Sequence, residues 1–320
     1  MKSNQFALFL VVAAVSWLTG CQPFSKELKP GPWLGTIVFD SADQVPFNFD
    51  VTFDSTGSPV LTVRNADESI AVNEVRFDGD TLEWHMPVFQ SVFRAGFRSK
   101  GLMGWYHPKG IGQGPAYRFS AVSDQALRFP HLTAKAEVDL GGRWQITENG
   151  GQPDALTLIG EFVQDGNRLT GTVLSPFGDY RYLEGVVSGR NVAFSGFDGS
   201  HAVVFQARVA DDGSITEGRF AGSAQWKSRW TAVRNDSARL PEQSTLVRIK
   251  PGAALPDFVL SDLEGNTVSL ADERFRGKVV VVQASGTWCP NCMDEARLFG
   301  ELPTEYGPRG PRAVSPLSDS

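Results

Sequence analysis

Between residues 32 and 236, apolar and polar positions alternate in short runs that are typical of β-strands, and turn signals separate the runs. A glycine or asparagine in each signal tolerates the backbone conformation that a hairpin needs. The signals fall at residues 54–57, 78–80, 164–167, 188–190 and 211–214. The pattern predicts that this region is all-β.

The all-β region contains pairs of matching positions, which predict two copies of one unit. The stretch GPW recurs as GRW, RFSAVSD recurs as RWTAVRND, and two turn glycines recur at nearly the same offset. The paired positions are Trp33 with Trp144, Arg118 with Arg229, Gly57 with Gly166, and Gly79 with Gly189. Because a repeated unit keeps its turns in place, we expect copies at about 32–124 and 142–236.

Unpaired sheet edges are adhesive, so we expect closure into a barrel, either one from both copies or two in tandem. The Gly-x-Trp start, followed by LTGTV at residues 169–173, resembles lipocalin-like and avidin-like barrels. Six tryptophans could line a ligand cavity, but packing in the core is the favoured interpretation. They are Trp33, Trp84, Trp105, Trp144, Trp226 and Trp230.

A polar, proline-containing stretch at 237–250 predicts a linker, and 251–320 then predicts a second domain of α/β type. Strands are expected at 258–260 and 267–270, on either side of a turn at 264–266. Residues 279–282 are continuously apolar, which is typical of a central strand covered on both faces. A helix is expected to follow, with Pro290 at its first position.

The N-terminus has the pattern of an export signal, with Lys2 before an apolar stretch at 6–18. Leu18-Thr19-Gly20-Cys21 resembles a bacterial lipobox. The resemblance implies a signal peptide at 1–20, a lipid on Cys21, a tether at 21–31 and a periplasmic location. Gln22 after the cysteine favours the outer membrane, and a plain secretory signal is the alternative.

If Cys21 carries a lipid, Cys289 and Cys292 are the two cysteines left in the chain. With Pro290 at the first helical position, Cys289 falls at the N-cap, where free N–H groups and the helix dipole favour the thiolate. Cys292 lies on the same helical face, at a Cα separation of roughly 5 Å that a disulfide accepts. Cys289 would attack and Cys292 would resolve.

Three interpretations of the pair compete. A structural zinc site needs four ligands, and the chain has no second Cys-x-x-Cys or closely spaced histidine pair. A structural disulfide would close too small a loop to stabilise much. The redox interpretation is therefore favoured, with neither metal nor cofactor expected. The four histidines stand singly, at His85, His107, His131 and His201.

Residues 251–295 resemble the first half of a TlpA/ResA-type thioredoxin-like domain, in the wider redoxin and AhpC/TSA superfamily. The matching positions include Pro256-Asp257-Phe258, Gly265, Gly277-Lys278, Trp288-Cys289-Pro290-Asn291-Cys292 and Glu295. The resemblance implies a membrane-tethered periplasmic thiol-disulfide oxidoreductase. It would reduce the disulfides of client proteins and be re-reduced by a membrane thiol donor.

The resemblance also implies roles for neighbouring residues. Trp288 would shield the disulfide and contact clients, with plain packing as the alternative. Glu295 would tune the proton affinity of Cys292 or would simply be solvated. Thiol peroxidase activity is the lesser alternative, because Gly286 stands where the peroxiredoxin pattern has threonine. A nucleic-acid partner is not expected, since the net charge is -6 and the basic residues are scattered.

A complete domain of this family has two more sheet strands, flanking helices and a cis-proline loop. Pro303 is expected to kink or end the helix, and the proline-containing tail is not expected to make a central strand. These departures suggest a frameshift or premature stop near Arg309, which would leave the 279–282 strand partly exposed and the activity doubtful. The rival hypothesis is a periplasmic binding or scaffold protein that acts through its β-domain, with a vestigial redox motif.

The fold class expected from the sequence is therefore multidomain. An all-β, barrel-like (lipocalin-like) duplicated domain precedes an incomplete α/β thioredoxin-like domain.

Overall fold

Residues 31–234 form two antiparallel sheets of nine strands each. The computed structural model describes residues 27–242, 258–306 and 311–318. The predicted signal peptide, Cys21 and most of the predicted linker lie outside these residues. The all-β prediction is confirmed, and each of the five predicted turns joins two consecutive strands.

The first sheet has the strand order β4-β3-β2-β1-β9-β8-β7-β6-β5. Its strands are β1 (Gly31–Val38), β2 (Gln44–Phe53), β3 (Pro59–Asn65), β4 (Glu68–Val72), β5 (Glu74–Asp78), β6 (Thr81–His85), β7 (Val92–Arg98), β8 (Gly101–His107) and β9 (Tyr117–Ser123). The sheet curls until β3 lies against β5, but no hydrogen-bonded ladder closes it within the described residues.

The second sheet closes on itself, because β12 pairs with both β11 and β14. Its strands are β10 (Gly142–Glu148), β11 (Leu156–Asp165), β12 (Arg168–Ser175), β13 (Gly178–Asp179), β14 (Leu183–Ser188), β15 (Asn191–Phe197), β16 (Ala202–Arg208), β17 (Ile215–Ala221) and β18 (Lys227–Arg234). The short strand β13 pairs antiparallel with the last two residues of β12. Predicted closure into a barrel is therefore seen in this sheet.

The two sheets begin in the same way. In each, the first strand pairs with the second and with the last, and Trp33 opposite Ser123 corresponds to Trp144 opposite Arg234. Each indole donates to a carbonyl four residues earlier, Trp33 to Lys29 and Trp144 to Leu140, both at 2.9 Å. Duplication itself stays a prediction.

Each sheet encloses its own apolar core, and the core of the first is rich in aromatic residues. Of the six tryptophans, Trp33, Trp84, Trp144 and Trp230 are buried, whereas Trp105 and Trp226 are about half exposed. Core packing is thus the main role of these residues. Phe197 extends from the second sheet into the first core, with its ring centroid 4.6 Å from that of Phe47.

Buried polar side chains join the two sheets, which we call the β body. The Asn65 amide donates to the Phe197 carbonyl at 2.8 Å and accepts from the Phe197 N–H at 3.1 Å. Arg128 donates to the Ser195 carbonyl at 2.9 Å, and the Ser195 hydroxyl donates to the Pro46 carbonyl at 2.6 Å. These hydrogen bonds satisfy polar groups that would otherwise be buried at a cost.

The C-terminal part, which we call the redox segment (258–318), contains short strands and one described helix. The elements are β19 (Val259–Ser261), β20 (Thr267–Ser269), a 3-10 turn (Glu273–Phe275), β21 (Val280–Val282), β22 (Ser285–Gly286), α1 (Pro290–Tyr306), β23 (Arg312–Val314) and β24 (Leu317–Ser318). β19 and β20 form the predicted hairpin. No helix among the described residues has the length and apolar character needed to cross a membrane.

Of the expectations for the tail, the structure contradicts one, that Pro303 ends the helix, while a kink at Pro303 stays a prediction. The helix α1 does not end at Pro303 but continues to Tyr306, since a proline removes one helical hydrogen bond without necessarily stopping the helix. The tail makes a short strand, β23, which pairs in parallel with β21, but β23 has no second ladder partner among the described residues and is therefore not a central strand. Its prolines do not interfere because Pro311 and Pro316 flank the three paired residues instead of lying among them.

The strand β21 is not covered on both faces, contrary to the expectation from its apolar run. Val279 is 71% exposed and Val282 is 41% exposed. The partial exposure expected of an incomplete domain is therefore what the structure has, and β23 is its sole ladder partner within the described residues.

Candidate functional site

Cys289 and Cys292 lie at the point where the chain leaves β22 and enters α1. The Cys289 N–H donates to the Gly286 carbonyl at 3.1 Å, which turns the chain into the helix. The Cys289 carbonyl then accepts from the Met293 N–H at 3.2 Å, the first bond of α1. Pro290 is the first helical residue, so the predicted N-cap position of Cys289 is confirmed.

The sulfur of Cys289 is held at the amino end of α1 in the way a capping side chain would be. The Cys292 N–H donates to Cys289 Sγ at 3.2 Å. A hydrogen bond of this kind is stronger to a thiolate than to a thiol, so it favours the ionised form once the cysteines are reduced. The helix dipole acts in the same direction.

The two cysteines form a disulfide in this structure, with a Cα–Cα distance of 5.3 Å. The predicted spacing is confirmed. Both residues are partly buried.

Trp288 lies beside the disulfide and is 52% exposed. Its indole packs directly over the backbone of Gly286, where a Cβ atom would come within 2.7 Å of the ring. Glycine at 286 therefore lets the tryptophan lie flat against the chain. The predicted contact of Trp288 with clients stays a prediction.

Glu295 has a partner other than Cys292. Its carboxylate accepts a hydrogen bond from the buried amide of Gln283, and Gln283 in turn accepts one from the Ser315 hydroxyl at 3.2 Å. Within the described part of the chain, no hydrogen bond joins Glu295 to either cysteine. The side chain thus links α1 to β21 and the tail, and its predicted effect on Cys292 stays a prediction.

The β body contacts the redox segment through the hairpin that contains β13. Arg181 forms a salt bridge with Glu68 of the first sheet at 2.5 Å and another with Asp294 of α1. Burial acts to lower the pKa of Arg181, but the hydrogen bond and charge of Glu68, together with Asp294, outweigh it and raise the pKa. Arg181 therefore keeps its charge and ties three parts of the chain together.

Gly178 of the same hairpin lies against Asn291, between the two cysteines in sequence. A Cβ atom at 178 would come within 2.6 Å of the Asn291 amide nitrogen, and the backbone has φ +136°. Glycine is required here for both reasons. Gly178 and Arg181 were not predicted from the sequence, because their partners lie more than a hundred residues away and no local pattern connects them.

A cavity of about 370 Å³ lies between this hairpin and the disulfide. One wall is formed by Trp288, Cys289 and Pro290, and the others come mainly from the second sheet. The cavity is mostly apolar, and Tyr180 and Trp226 stack within it at 6.3 Å between ring centroids. Burial, together with the charge of Glu148, raises the pKa of Tyr180, so its hydroxyl stays protonated.

The charged side chains of the cavity are mainly acidic. Glu68, Glu148, Asp179 and Asp198 line it, and Arg181 is the one lysine or arginine in the described lining. The imidazole of His201 also lines it and lies 3.1 Å from Asp198. Across the described residues, no group of three or more His, Cys, Asp or Glu side chains is arranged to hold a metal ion.

Comparison with known proteins concerns the redox segment. Residues 250–318 match the family model described as Redoxin. The thiol-disulfide oxidoreductase ResA of Bacillus thuringiensis subsp. konkukian (strain 97-27) is 35% identical over 68 residues, 21% of this chain and 38% of the relative. That of Geobacillus thermodenitrificans (strain NG80-2) is 46% identical over 59 residues, 18% of this chain and 33% of the relative. The chain spans little more than a third of these relatives.

Two solved structures resemble the chain over a larger part of its length. One is a protein of unknown function from the DUF3598 family of Nostoc punctiforme PCC 73102, at 10% identity and a TM-score of 0.22, covering 65% of this chain and 96% of the other. The second is a putative outer membrane protein from Bacteroides fragilis NCTC 9343, at 9% identity and a TM-score of 0.22, covering 63% and 93%. TM-scores this low support no conclusion about the fold.

The family match continues to residue 318, past Arg309, where the sequence suggested a change of reading frame. The strand β23 also lies beyond that point and pairs with β21. The frameshift or premature stop suggested from the sequence stays a prediction.

Proposed function

We propose that this protein, whose C-terminal segment is a redoxin similar to the TlpA/ResA thiol-disulfide oxidoreductases, reduces disulfide bonds in client proteins through Cys289 and Cys292. The observation that carries the proposal is the position of Cys289 Sγ, 3.2 Å from the Cys292 N–H at the amino end of α1. This environment favours a thiolate, and the thiolate is the form of cysteine that attacks disulfides.

The size of the fall in the pKa of Cys289 determines how much of the reduced protein carries the reactive thiolate. A free cysteine has a pKa of about 8.5, whereas cysteines at helix N-termini and in Cys-x-x-Cys sites fall to about 3.5 to 7.5. At neutral pH such a shift changes the thiolate from a minor species to a substantial or major one. Cys292 lies within the helix, so Cys289 is the attacking residue.

The proposed reaction begins when a dithiol donor opens the Cys289–Cys292 disulfide by supplying two electrons and two protons. The Cys289 thiolate then attacks one sulfur of the client disulfide, and the other client sulfur leaves as a thiolate and takes up a proton. Cys292 loses its proton and attacks Cys289 Sγ. This step breaks the mixed disulfide, releases the second client thiol and restores the intramolecular disulfide.

The proposal includes a location and a donor. The protein is exported, carries a lipid on Cys21 and is held at the periplasmic face of the outer membrane, with a membrane thiol reductant as its donor. Support comes from the Leu-Thr-Gly-Cys pattern at 18–21 and from the resemblance to tethered family members. Metabolic labelling of the expressed chain with a radioactive fatty acid tests the anchor, and Cys21→Ser is expected to abolish the label.

A further part of the proposal concerns the origin of the β body. We propose that its two sheets are copies of one lipocalin-like unit. Two parallels support this: the equal register of Trp33 and Trp144 and the equivalent indole hydrogen bonds.

An insulin-reduction assay with dithiothreitol as donor tests the central proposal. The full chain is expected to accelerate insulin precipitation, and Cys289→Ser is expected to abolish the acceleration. Cys21→Ser is the matched control, since it also removes one sulfur but leaves the disulfide intact. Equal rates for the wild type and Cys289→Ser would contradict the proposal and favour the rival, a binding or scaffold protein.

A thiol peroxidase is the other alternative, and the same variants test it. Hydrogen peroxide replaces insulin as the substrate, and consumption of the peroxide is followed in the presence of dithiothreitol. The proposal predicts no consumption above that of Cys289→Ser.

A further inference from the structure

We propose that the β body supplies the substrate-binding site of the redox pair. The cavity of about 370 Å³ beside Cys289 receives a polypeptide segment that carries an apolar and a positively charged side chain next to its disulfide. This inference rests on the proposed reduction of client disulfides.

The cavity lies directly beside the attacking cysteine. Cys289 and Pro290 form part of the cavity wall, while Tyr180 and Trp226 of the second sheet form another part. A ligand that occupies the cavity therefore lies next to the attacking sulfur. The salt bridges of Arg181 to Glu68 and Asp294 hold the two walls together.

Exposed aromatic side chains line the cavity. Phe177 is 82% exposed, and Tyr182, Trp226 and Trp288 are each about half exposed. All four line the cavity. Exposed aromatic residues gathered at one place are typical of recognition surfaces, because they offer a large apolar area at a small cost in side-chain entropy.

The acidic side chains of the cavity favour a positively charged ligand. Glu148 is only 8% exposed and lines the cavity, yet its described partner is the Ser228 hydroxyl and no ion pair to it occurs within the described residues. A buried carboxylate is costly unless a cation or several hydrogen bonds compensate it. The carboxylates of Asp179 and Asp198 add to the negative potential, while Arg181 is engaged by Glu68 and Asp294. A lysine or arginine of the ligand would complement this site.

The size of the cavity bears on the kind of ligand that it can hold. A volume of about 370 Å³ is near the lower end of the range for small-molecule sites, about 300 to 1,000 Å³. Trp288 also lines a second cavity of about 660 Å³ together with Phe89 and Tyr106. A surface that continues past Trp288 fits an extended chain with successive side chains better than a single compact molecule.

The test compares two synthetic peptides with the same intramolecular disulfide and the same phenylalanine next to it. One carries arginine beside the cysteine and the other carries glutamate. Binding of each fluorescently labelled peptide to the full-length Cys289→Ser chain is measured by anisotropy, so that the result does not depend on catalysis. The arginine peptide is expected to bind about tenfold more tightly or better, the usual size of a charged hydrogen bond.

Substitutions in the cavity then test which residues cause the preference for the arginine peptide. Glu148→Gln is expected to reduce the ratio of the two affinities toward one, whereas Glu217→Gln, an exposed residue of β17 outside the cavity, leaves the ratio unchanged. If Glu148→Gln does not fold, Asp179→Asn, whose side chain is exposed, serves the same purpose. Trp226→Ala is expected to weaken both peptides equally.

The outcomes separate the two proposals. Equal affinities in the parent chain, or a preference that survives both Glu148→Gln and Asp179→Asn, would overturn the docking site. Reduction of the small uncharged hydroxyethyl disulfide by the wild type tests the chemistry alone. Failure of that reaction together with a retained arginine preference would overturn the proposed function and leave the binding site standing.

Discussion

The β body and the redox segment differ in what holds them in place. In the β body, strands of mostly five to ten residues form two nine-stranded sheets, and large apolar side chains such as Phe93 and Ile37 are fully buried. In the redox segment, the strands have two or three residues, and the buried side chains are the polar Gln283 and Ser285. The β body is stabilised by its own cores, whereas the described redox segment has little apolar core and is joined to the β body by the salt bridge between Arg181 and Asp294.

This difference assigns separate roles to the two regions. The chemistry resides in the segment with little core, and the rigid support resides in the region with no cysteine among its described residues. The hairpin that contains Gly178 and Arg181 connects them. The predictions below test this division, beginning with the largest expected effect.

Phe93→Ala should destabilise the β body most. The side chain is fully buried, with its ring centroid 4.9 Å from that of Phe119, and removal of such a ring usually costs about 3–5 kcal/mol. Leu298→Ala, on the exposed side of α1, should change the free energy of unfolding by no more than about 0.5 kcal/mol. Urea unfolding followed by tryptophan fluorescence measures both. Similar losses in the two variants would contradict the division.

Arg181→Met should have an intermediate effect, confined to the junction. It removes the salt bridges to Glu68 and Asp294 and leaves the partly buried Glu68 with a hydrogen bond from the Asn65 amide but without a cation, which costs about 1–3 kcal/mol. Amide hydrogen exchange should accelerate in α1, while protection in β15 and β16 stays as in the wild type. Arg208→Met, an exposed arginine of β16, is the control. Unchanged exchange in α1 would show that Arg181 does not hold the segment.

Glu184→Gln should have the smallest effect, and one that depends on pH. Burial acts to raise the pKa of Glu184, but the charge of Arg128 and the hydrogen bonds from Arg168 and Ala66 outweigh it, so the pKa lies below the usual 4.5. A lowered pKa in the folded state contributes stability above about 4.5, and this contribution is lost as the pH falls through the folded-state pKa.

Thermal unfolding of the wild type and Glu184→Gln between pH 3 and 7 measures this contribution. The wild type should be the more stable of the two at pH 7, and the difference should shrink on acidification below about 4.5. A difference that is constant with pH, or that grows toward acid, would contradict the assignment.

The features that could be predicted from the sequence depend on residues close together in the chain. The hairpin turns follow from local glycine, asparagine and aspartate patterns, and the start of α1 follows from Cys289-Pro290. The disulfide follows from the three-residue spacing of its cysteines. In each case one short stretch contains the whole physical cause.

The features that could not be predicted depend on long-range contacts. Arg181 meets Glu68 and Asp294 from positions more than a hundred residues away, and the burial of Glu148 results from closure of the second sheet. The strand β23 was missed for a different reason. The prolines of the tail argued only against a central strand, and a short strand can form because a ladder requires N–H groups only at its paired residues.

The most direct test of the account is the ionisation of Cys289 in the reduced protein. Thiolate absorbance near 240 nm is titrated against pH for the wild type and for Cys289→Ser, and the difference isolates Cys289. The account predicts a pKa between about 3.5 and 7.5, as expected for a sulfur that accepts the Cys292 N–H at the amino end of α1. A pKa of about 8.5 or higher, as in an ordinary exposed thiol, would contradict it.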